Sequence, residues 1–244
     1  MDLHHVIQRP LVTEKSAIAR EEANIATFRV DPTADPDHQL RQWVAKVQQW
    51  KTRLTEEGRT EDVEAARREL VRGMERDLER NPRQARLRRA LARVHRRAEP
   101  PRRDLAAEVL GGGLDLALPD RERASLLNDL AVLTLDTDAE RASKYLAEAI
   151  NLDPSALRYQ NWADVAWHLR RFDDAARGYA QAFELDPTST ESRDRWAAAT
   201  ARRGAAGRDD GRRQLETWVR NGRVDRESAA RLYELLAGEG GSAP

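Results

Sequence analysis

Apolar positions in residues 154–187 fall into two stripes of helical period. Tyr159, Trp162, Ala163 and Ala166 stand at i, i+3, i+4 and i+7, which is one face of a helix. Arg170-Arg171 breaks the pattern. A second stripe of Ala175, Tyr179, Ala182 and Phe183 starts near Asp173-Asp174 and ends at Leu185. Asp153 suits a helix cap and Pro154 a first turn, where a missing N–H costs nothing. Small Ala163 and Ala175 let the two helices approach, with the aromatic residues beside them. The same text recurs upstream as Leu127, Leu130, Ala131 and Thr134, a turn at Asp136-Thr137-Asp138, then Ala142 and Leu146. It recurs downstream after Thr188-x-x-Glu191, a capping-box pattern, as Arg193, Trp196, Ala197 and Thr200. Leu215, Trp218 and Val219 follow as a degenerate second helix that Asn221-Gly222 ends.

Further stripes frame these units. Val63, Leu70, Met74 and Leu78 predict a helix over 61–79. Leu87, Ala90, Leu91 and Val94, then Ala106 and Leu110, predict a weaker pair that Gly111-Gly112-Gly113 stops. Ala229, Leu232, Tyr233 and Leu236 predict a terminal capping helix. Pro82, Pro119, Pro154 and Pro187 punctuate the text at steps of 37, 35 and 33 residues, the period of a helix-turn-helix solenoid. The expected organisation is an α-solenoid over 60–237. It comprises a degenerate repeat at 82–118, repeats at 119–153, 154–187 and 188–222, a capping helix at 225–237, and a disordered tail at 238–244.

The order Tyr159-x2-Trp162-Ala163-x2-Ala166, Ala175-x3-Tyr179, Pro187, with its counterpart Leu127-x2-Leu130-Ala131-x2-Thr134, Ala142-x3-Leu146, Pro154, resembles the tetratricopeptide repeat family. The resemblance covers about 82–222. It implies a mainly α, TPR-like solenoid coiled as a right-handed superhelix, with first helices lining a concave groove and a protein or peptide as partner. Carried onto this chain, the groove residues are Asn128, Asp129, Gln160, Asn161, Asp164, His168, Arg195 and Arg202. Some members clamp a C-terminal carboxylate with Lys, Asn and Arg. Asn161 and Arg195 match two such positions, but Glu191 and Val132 stand where a cation and an amide belong. The acids nearby would repel a carboxylate, so a peptide or helix carrying both charges fits better. Trp162 and Trp196 occupy packing positions and are read as core.

Residues 1–47 follow a different pattern. Val6 to Val12 is β-branched and interrupted by Pro10, Thr13-Glu14-Lys15-Ser16 starts a short helix, Ile25 to Val30 alternates as a strand that Asp31-Pro32 stops, and 39–47 is helical again. Val6-Ile7-x-Arg9-Pro10-Leu11-x-Thr13-Glu14-Lys15-Ser16 and Phe28-x-Val30-Asp31-Pro32 resemble the start of the ribosomal large-subunit protein L-twenty-three family. That implies a short α/β segment, binding to ribosomal RNA, and Glu14 on a surface that docks nascent-chain chaperones. The resemblance ends near residue 47, where Gln48 to Lys51 leads into helical text and the family's RNA-penetrating hairpin has no counterpart. A truncated ribosomal-protein fold is the expectation; a gene fusion, a vestigial duplication or an artificial chimera would each give this text.

Composition adds bounds. Of 244 residues, 34% are charged, 40% hydrophobic and 5% aromatic, polar for a compact globule but ordinary for a thin-cored repeat. Net charge is zero, so bulk charge selects no partner. Cysteine is absent, which removes disulfides and thiolate metal sites. Met1 to Ala19 carries His, Glu and Lys throughout, which predicts neither signal peptide nor membrane span and a cytoplasmic chain. The five histidines form no i, i+4 pattern, and Gly111-Gly112-Gly113 lacks the Gly-Lys-Ser/Thr of a phosphate loop. Neither a metal, a cofactor nor a small-molecule substrate is expected.

Charge is uneven along the chain. Residues 80–103 hold ten arginines against Glu99 alone. Arg86, Arg89, Arg93, Arg96 and Arg97 share a helical face opposite Leu87, Leu91, Val94 and Ala98. Such a stripe neutralises phosphates or serves as the solvated face of a repeat helix. The expected function is therefore a non-enzymatic adaptor that binds a peptide or helix in the solenoid groove. The alternative is a ribosome-associated, rRNA-binding protein using residues 1–47 and the Arg80–Arg103 stripe.

Overall fold

The computed structural model describes residues 60–98 and 100–237. Every regular element among them is a helix: α1 (Thr60–Arg80), α2 (Ala85–Arg96), α3 (Arg103–Gly111), α4 (Asp120–Thr134), α5 (Ala139–Leu152), α6 (Ala156–His168), α7 (Phe172–Leu185), α8 (Thr190–Ala201), α9 (Gly204–Arg220) and α10 (Arg226–Ala237). The expected α/β segment over 1–47, Glu14 within it, and the tail 238–244 lie outside the described residues. The chain divides into two compact units, residues 1–116 and 117–244.

In the first unit α2 packs between α1 and α3. Its apolar stripe is buried as the periodicity predicts, with Leu87, Ala90, Leu91 and Val94 at most 4% exposed, and Ala106 and Leu110 of α3 meet it. Arg88 straps the pair: its Nε donates to the Pro82 carbonyl at 3.0 Å and Nη1 to the Val109 carbonyl at 3.0 Å. Burial pulls its guanidinium below the usual arginine range.

The second unit is a helical solenoid of paired helices: α4 with α5, α6 with α7, and α8 with α9, closed by α10. Short turns make each pair antiparallel. In the pair α6–α7 the helices meet tightly at Gly178, where a Cβ would lie 2.8 Å from Ala163 Cβ and 2.9 Å from Trp162 Cε3. Ala163 and Ala175 are fully buried on either side, as small residues at a helix crossing should be. Trp196 of α8, Phe183 of α7 and Trp218 of α9 then fill the core, with ring centroids 4.7 Å apart for Phe183–Trp218 and 4.3 Å for Trp196–Trp218. The Trp218 indole N–H donates to Glu184 at 2.5 Å, so the largest core side chain leaves no unpaired polar group. Trp162 is half-buried beside a smaller cluster of Ala131, Ala142, Leu146 and Val165. Ala229, Leu232 and Leu236 of α10 are buried, and that helix covers α8 and α9.

Two caps differ from the expectation. Asp153 does not cap α6. It is the C-cap of α5 (φ −153°, ψ 88°), and the Ser155 hydroxyl accepts from the N–H of Arg158, the third residue of α6, at 3.4 Å. A residue before proline is disfavoured in the α region, which ends α5 at Asp153, and the Ser155 hydroxyl then takes the cap of α6. Thr188 does not cap α8 either. Its N–H and hydroxyl both bond to the Asp186 carboxylate, at 3.1 and 2.6 Å, and Ser189 takes the cap position with Ser192 N–H at 3.2 Å. Glu191 pairs with Arg195 instead of closing a capping box.

The turn from α6 to α7 is a Schellman motif carried by Arg170, whose φ is +59°. Arg171 N–H reaches back to the Ala166 carbonyl at 2.8 Å and Arg170 N–H to Trp167 at 2.9 Å. Gly222 fills the same role after α9 with φ +69°, Arg223 N–H reaching Trp218 at 2.9 Å.

Candidate functional site

The first helices α4, α6 and α8 carry the residues assigned to the groove. On α6, Leu157, Gln160, Asn161, Asp164 and His168 share one face at spacings of three, four, seven and eleven. On α4, Asn128 and Val132 share a face, and on α8 Glu191 and Arg195 do, with Arg202 just past its end.

Bonds between successive first helices tie these faces together. Asn161 Nδ2 donates to Asn128 Oδ1 at 2.8 Å, and Asn128 is only 8% exposed. Arg158 donates to the Ser125 hydroxyl at 3.3 Å. From α8, the Ser192 hydroxyl donates to Gln160 at 3.4 Å and Arg195 Nη1 to Asp164 at 2.5 Å. The sequence separations of these pairs, 33, 33, 32 and 31 residues, are one repeat each.

Asp164 is the hub. It also accepts from the buried Tyr179 hydroxyl of α7 at 2.5 Å, while Arg195 holds Glu191 at 2.8 Å. Burial, then the hydrogen bond and charge of Asp164, push the Tyr179 phenol well above the usual tyrosine range, against an opposing pull from Arg195. Burial is the largest single influence on the Arg195 guanidinium and lowers it, but Asp164 and Tyr179 together outweigh it, so its net shift is upward. One cation is shared between two carboxylates, and the cluster is set before any partner arrives.

The other assigned residues stand apart from this hub. Arg202 lies over the rings of Trp167 at 5.8 Å and Phe172 at 6.0 Å, which meet edge to face at 5.3 Å. His168 is exposed in the last turn of α6, and Asp129 is half-buried beside Asn128. In the first unit, Arg86, Arg96 and Arg97 are exposed, while Arg89 and Arg93 are half-buried and each engages another group.

Two members of the face are not among the residues assigned from the sequence. Leu157 is 61% exposed and Val132 43% exposed. Val132 stands one turn after Asn128 and Leu157 one turn before Asn161, so they flank the asparagine pair. Leu157 follows the cap of its helix by two residues and falls outside the apolar stripe of α6. That combination is its only sequence signal. Tyr179 is read as core from periodicity; its hydroxyl partner depends on α6 meeting α7 in this register. Among the described residues no group of three or more His, Asp or Glu side chains is placed to hold a metal ion, and no helix is long and apolar enough to cross a membrane.

No family model matches the chain, and no curated protein matches it. Among solved structures the chain is similar to MamA, at 15% identity over 75% of this chain and 93% of that one, with a TM-score of 0.49. It is also similar to BtubC (BKLC) from P. vanneervenii, at 19% identity over 94% of this chain and 95% of that one, with a TM-score of 0.48.

Proposed function

We propose that residues 117–237 are a protein-binding module of tetratricopeptide type, which takes a peptide or helix of a partner protein across the shared face of α4, α6 and α8. It acts by binding, without a chemical step. The observation that carries this reading is the pair of exposed apolar side chains, Val132 and Leu157, on either side of the asparagine bridge. Covering the area each still exposes contributes about 1 kcal/mol. The polar groups between them are already bonded to one another, so a partner meets them without reorganisation. Asp164, Glu191 and Arg195 supply both signs of charge for orientation.

The test uses the tagged full chain, its Val132→Asp/Leu157→Asp variant, and Leu185→Asp as a control. Leu185 is 53% exposed but ends α7, a second helix. Proteins captured from cell extract and identified by mass spectrometry are expected with the wild type and the control and depleted with the double variant. Equal recovery with all three rejects the reading. Charge reversal at Arg195 is a poor probe, because it would set three carboxylates together and unsettle α6 against α8.

A further inference from the structure

In the first unit, all seven buried residues of α2 are Ala, Leu, Val or His, and all five remaining positions, 86, 88, 89, 93 and 96, are arginine. Arg97, the C-cap, continues the face. Arg88 is turned to backbone carbonyls and holds the fold together. Arg86, Arg96 and Arg97 are exposed. Stability alone does not favour this composition. The first turn of α2 has no acid and contains Arg86 and Arg88, where the helix dipole disfavours cations. An isolated solvated face normally alternates charge to form i, i+4 pairs, and α2 has no acidic residue at all.

We infer that this arginine face of α2 binds the phosphate backbone of a nucleic acid, a function separate from the protein-binding face of the second unit. Guanidinium groups match phosphate oxygens bidentately. From Arg86 to Arg97 the face runs about 16 Å along the helix, the length of about five phosphates of one strand at duplex spacing. A membrane surface is the poorer fit. An interfacial helix must offer an apolar face beside its basic one, and every apolar side chain of α2 is buried in the unit. No side chain on the face is aromatic, so the contact is to backbone and independent of base sequence.

The experiment titrates the full chain into fluorescein-labelled oligo(U), mixed-sequence single-stranded DNA and duplex RNA, following anisotropy over a range of salt. Binding is expected to weaken with salt. Arg86→Glu/Arg96→Glu/Arg97→Glu should lower affinity at least tenfold and reduce the log–log salt slope by about 2, at about 0.7 per single-strand phosphate contact. Arg86→Lys/Arg96→Lys/Arg97→Lys should keep the salt slope and bind more tightly than the Glu triple, but more weakly than the wild type, because the charge stays and the bidentate geometry is lost. Circular dichroism checks the fold of each variant, and Arg86→Gln/Arg96→Gln/Arg97→Gln replaces the Glu triple if reversal unfolds α2. The three probes separate RNA from DNA and single strand from duplex. Absence of binding at low salt overturns the inference, as does an affinity indifferent to the triple change. Poly-glutamate competing as well as oligo(U), or phosphatidylserine vesicles binding more tightly through the same arginines, assigns the face to another polyanion and also overturns it.

Discussion

Gly178 and Arg170 sit eight residues apart and pull stability in opposite directions. Gly178→Ala gains about 1 kcal/mol of helix propensity. The new methyl, however, would sit 2.8 Å from Ala163 Cβ, an atom fixed to backbone, and 2.9 Å from the Trp162 ring. Overpacking of this kind costs about 1–3 kcal/mol, and here two contacts must relax at once. A net loss of up to about 2 kcal/mol is expected in chemical denaturation. Arg170→Gly has the reverse sign, because an L side chain in the left-handed region costs about 1–2 kcal/mol and glycine removes that term at some entropic expense. Stability should rise by about 1 kcal/mol, with the bond from Arg171 to Ala166 kept. Tyr179 gives the residue scale its pH dependence. Its folded-state pKa is raised, so the stability it contributes is present below the unfolded tyrosine value of about 10 and is lost as pH rises through and above that value. Thermal melts at increasing alkaline pH should show this decline, and Tyr179→Phe should flatten it while lowering stability at neutral pH by about 1 kcal/mol.

Between elements the repeat shows in its polar contacts as well as in its core. Arg171 after α6 meets Glu140 at the start of α5, and Arg203 after α8 meets Asp173 at the start of α7, both at 2.6 Å. These are equivalent pairs one repeat apart, and they are exposed, which makes each worth about 0–1 kcal/mol. Arg158 is another matter. It is 8% exposed and bonds the Asp153 carbonyl at 2.6 Å, its carboxylate at 2.8 Å and Ser125 at 3.3 Å, joining α4, α5 and α6. Arg158→Ala should therefore cost about 2–3 kcal/mol, since several hydrogen bonds from one buried charged group are lost and their half-buried acceptors are left without that donor. Arg171→Ala should cost less than about 1 kcal/mol. Equal effects in urea denaturation would show that burial does not rank these contacts. The caps carry a related lesson. Asp-Pro in both Asp153-Pro154 and Asp186-Pro187 looks like a helix start, yet each aspartate belongs to the preceding helix end, and the serines at 155 and 189 initiate the next.

At the scale of the molecule, two hydrophobic clusters of described residues in the second unit, one around Trp196 and Trp218 and one around Leu146 and Val165, draw only on residues between 131 and 236. A fragment covering 117–237 is accordingly expected to fold alone, with helical circular dichroism and a cooperative melt. A fragment lacking that cooperativity would mean that its core needs the remainder of the chain. The fragment also separates the two proposed activities. Capture of protein partners should stay with it, and retention of oligonucleotides should not.

Helix positions from residue 60 to 237 were legible because one property, the burial of a stripe of period 3.6, acts locally and repeats. Leu127, Leu130 and Ala131, and again Trp196 and Ala197, read as core and are core. The turn at 170–171 was legible as a break, but its left-handed arginine was not, since nothing in Arg-Arg announces a positive φ. The residue types of the first-helix face could be placed, whereas their pairings could not. Asn128 with Asn161, and Asp164 with both Tyr179 and Arg195, are contacts across 33, 15 and 31 residues that require the helices to be stacked first. Sequence by itself determined the repeat, its period and which faces are apolar, because those follow from each helix satisfying its own backbone. Tertiary structure alone decided which polar groups neutralise one another and which apolar ones, Val132 and Leu157, stay in water, because burial and pairing are properties of neighbours brought together only by folding.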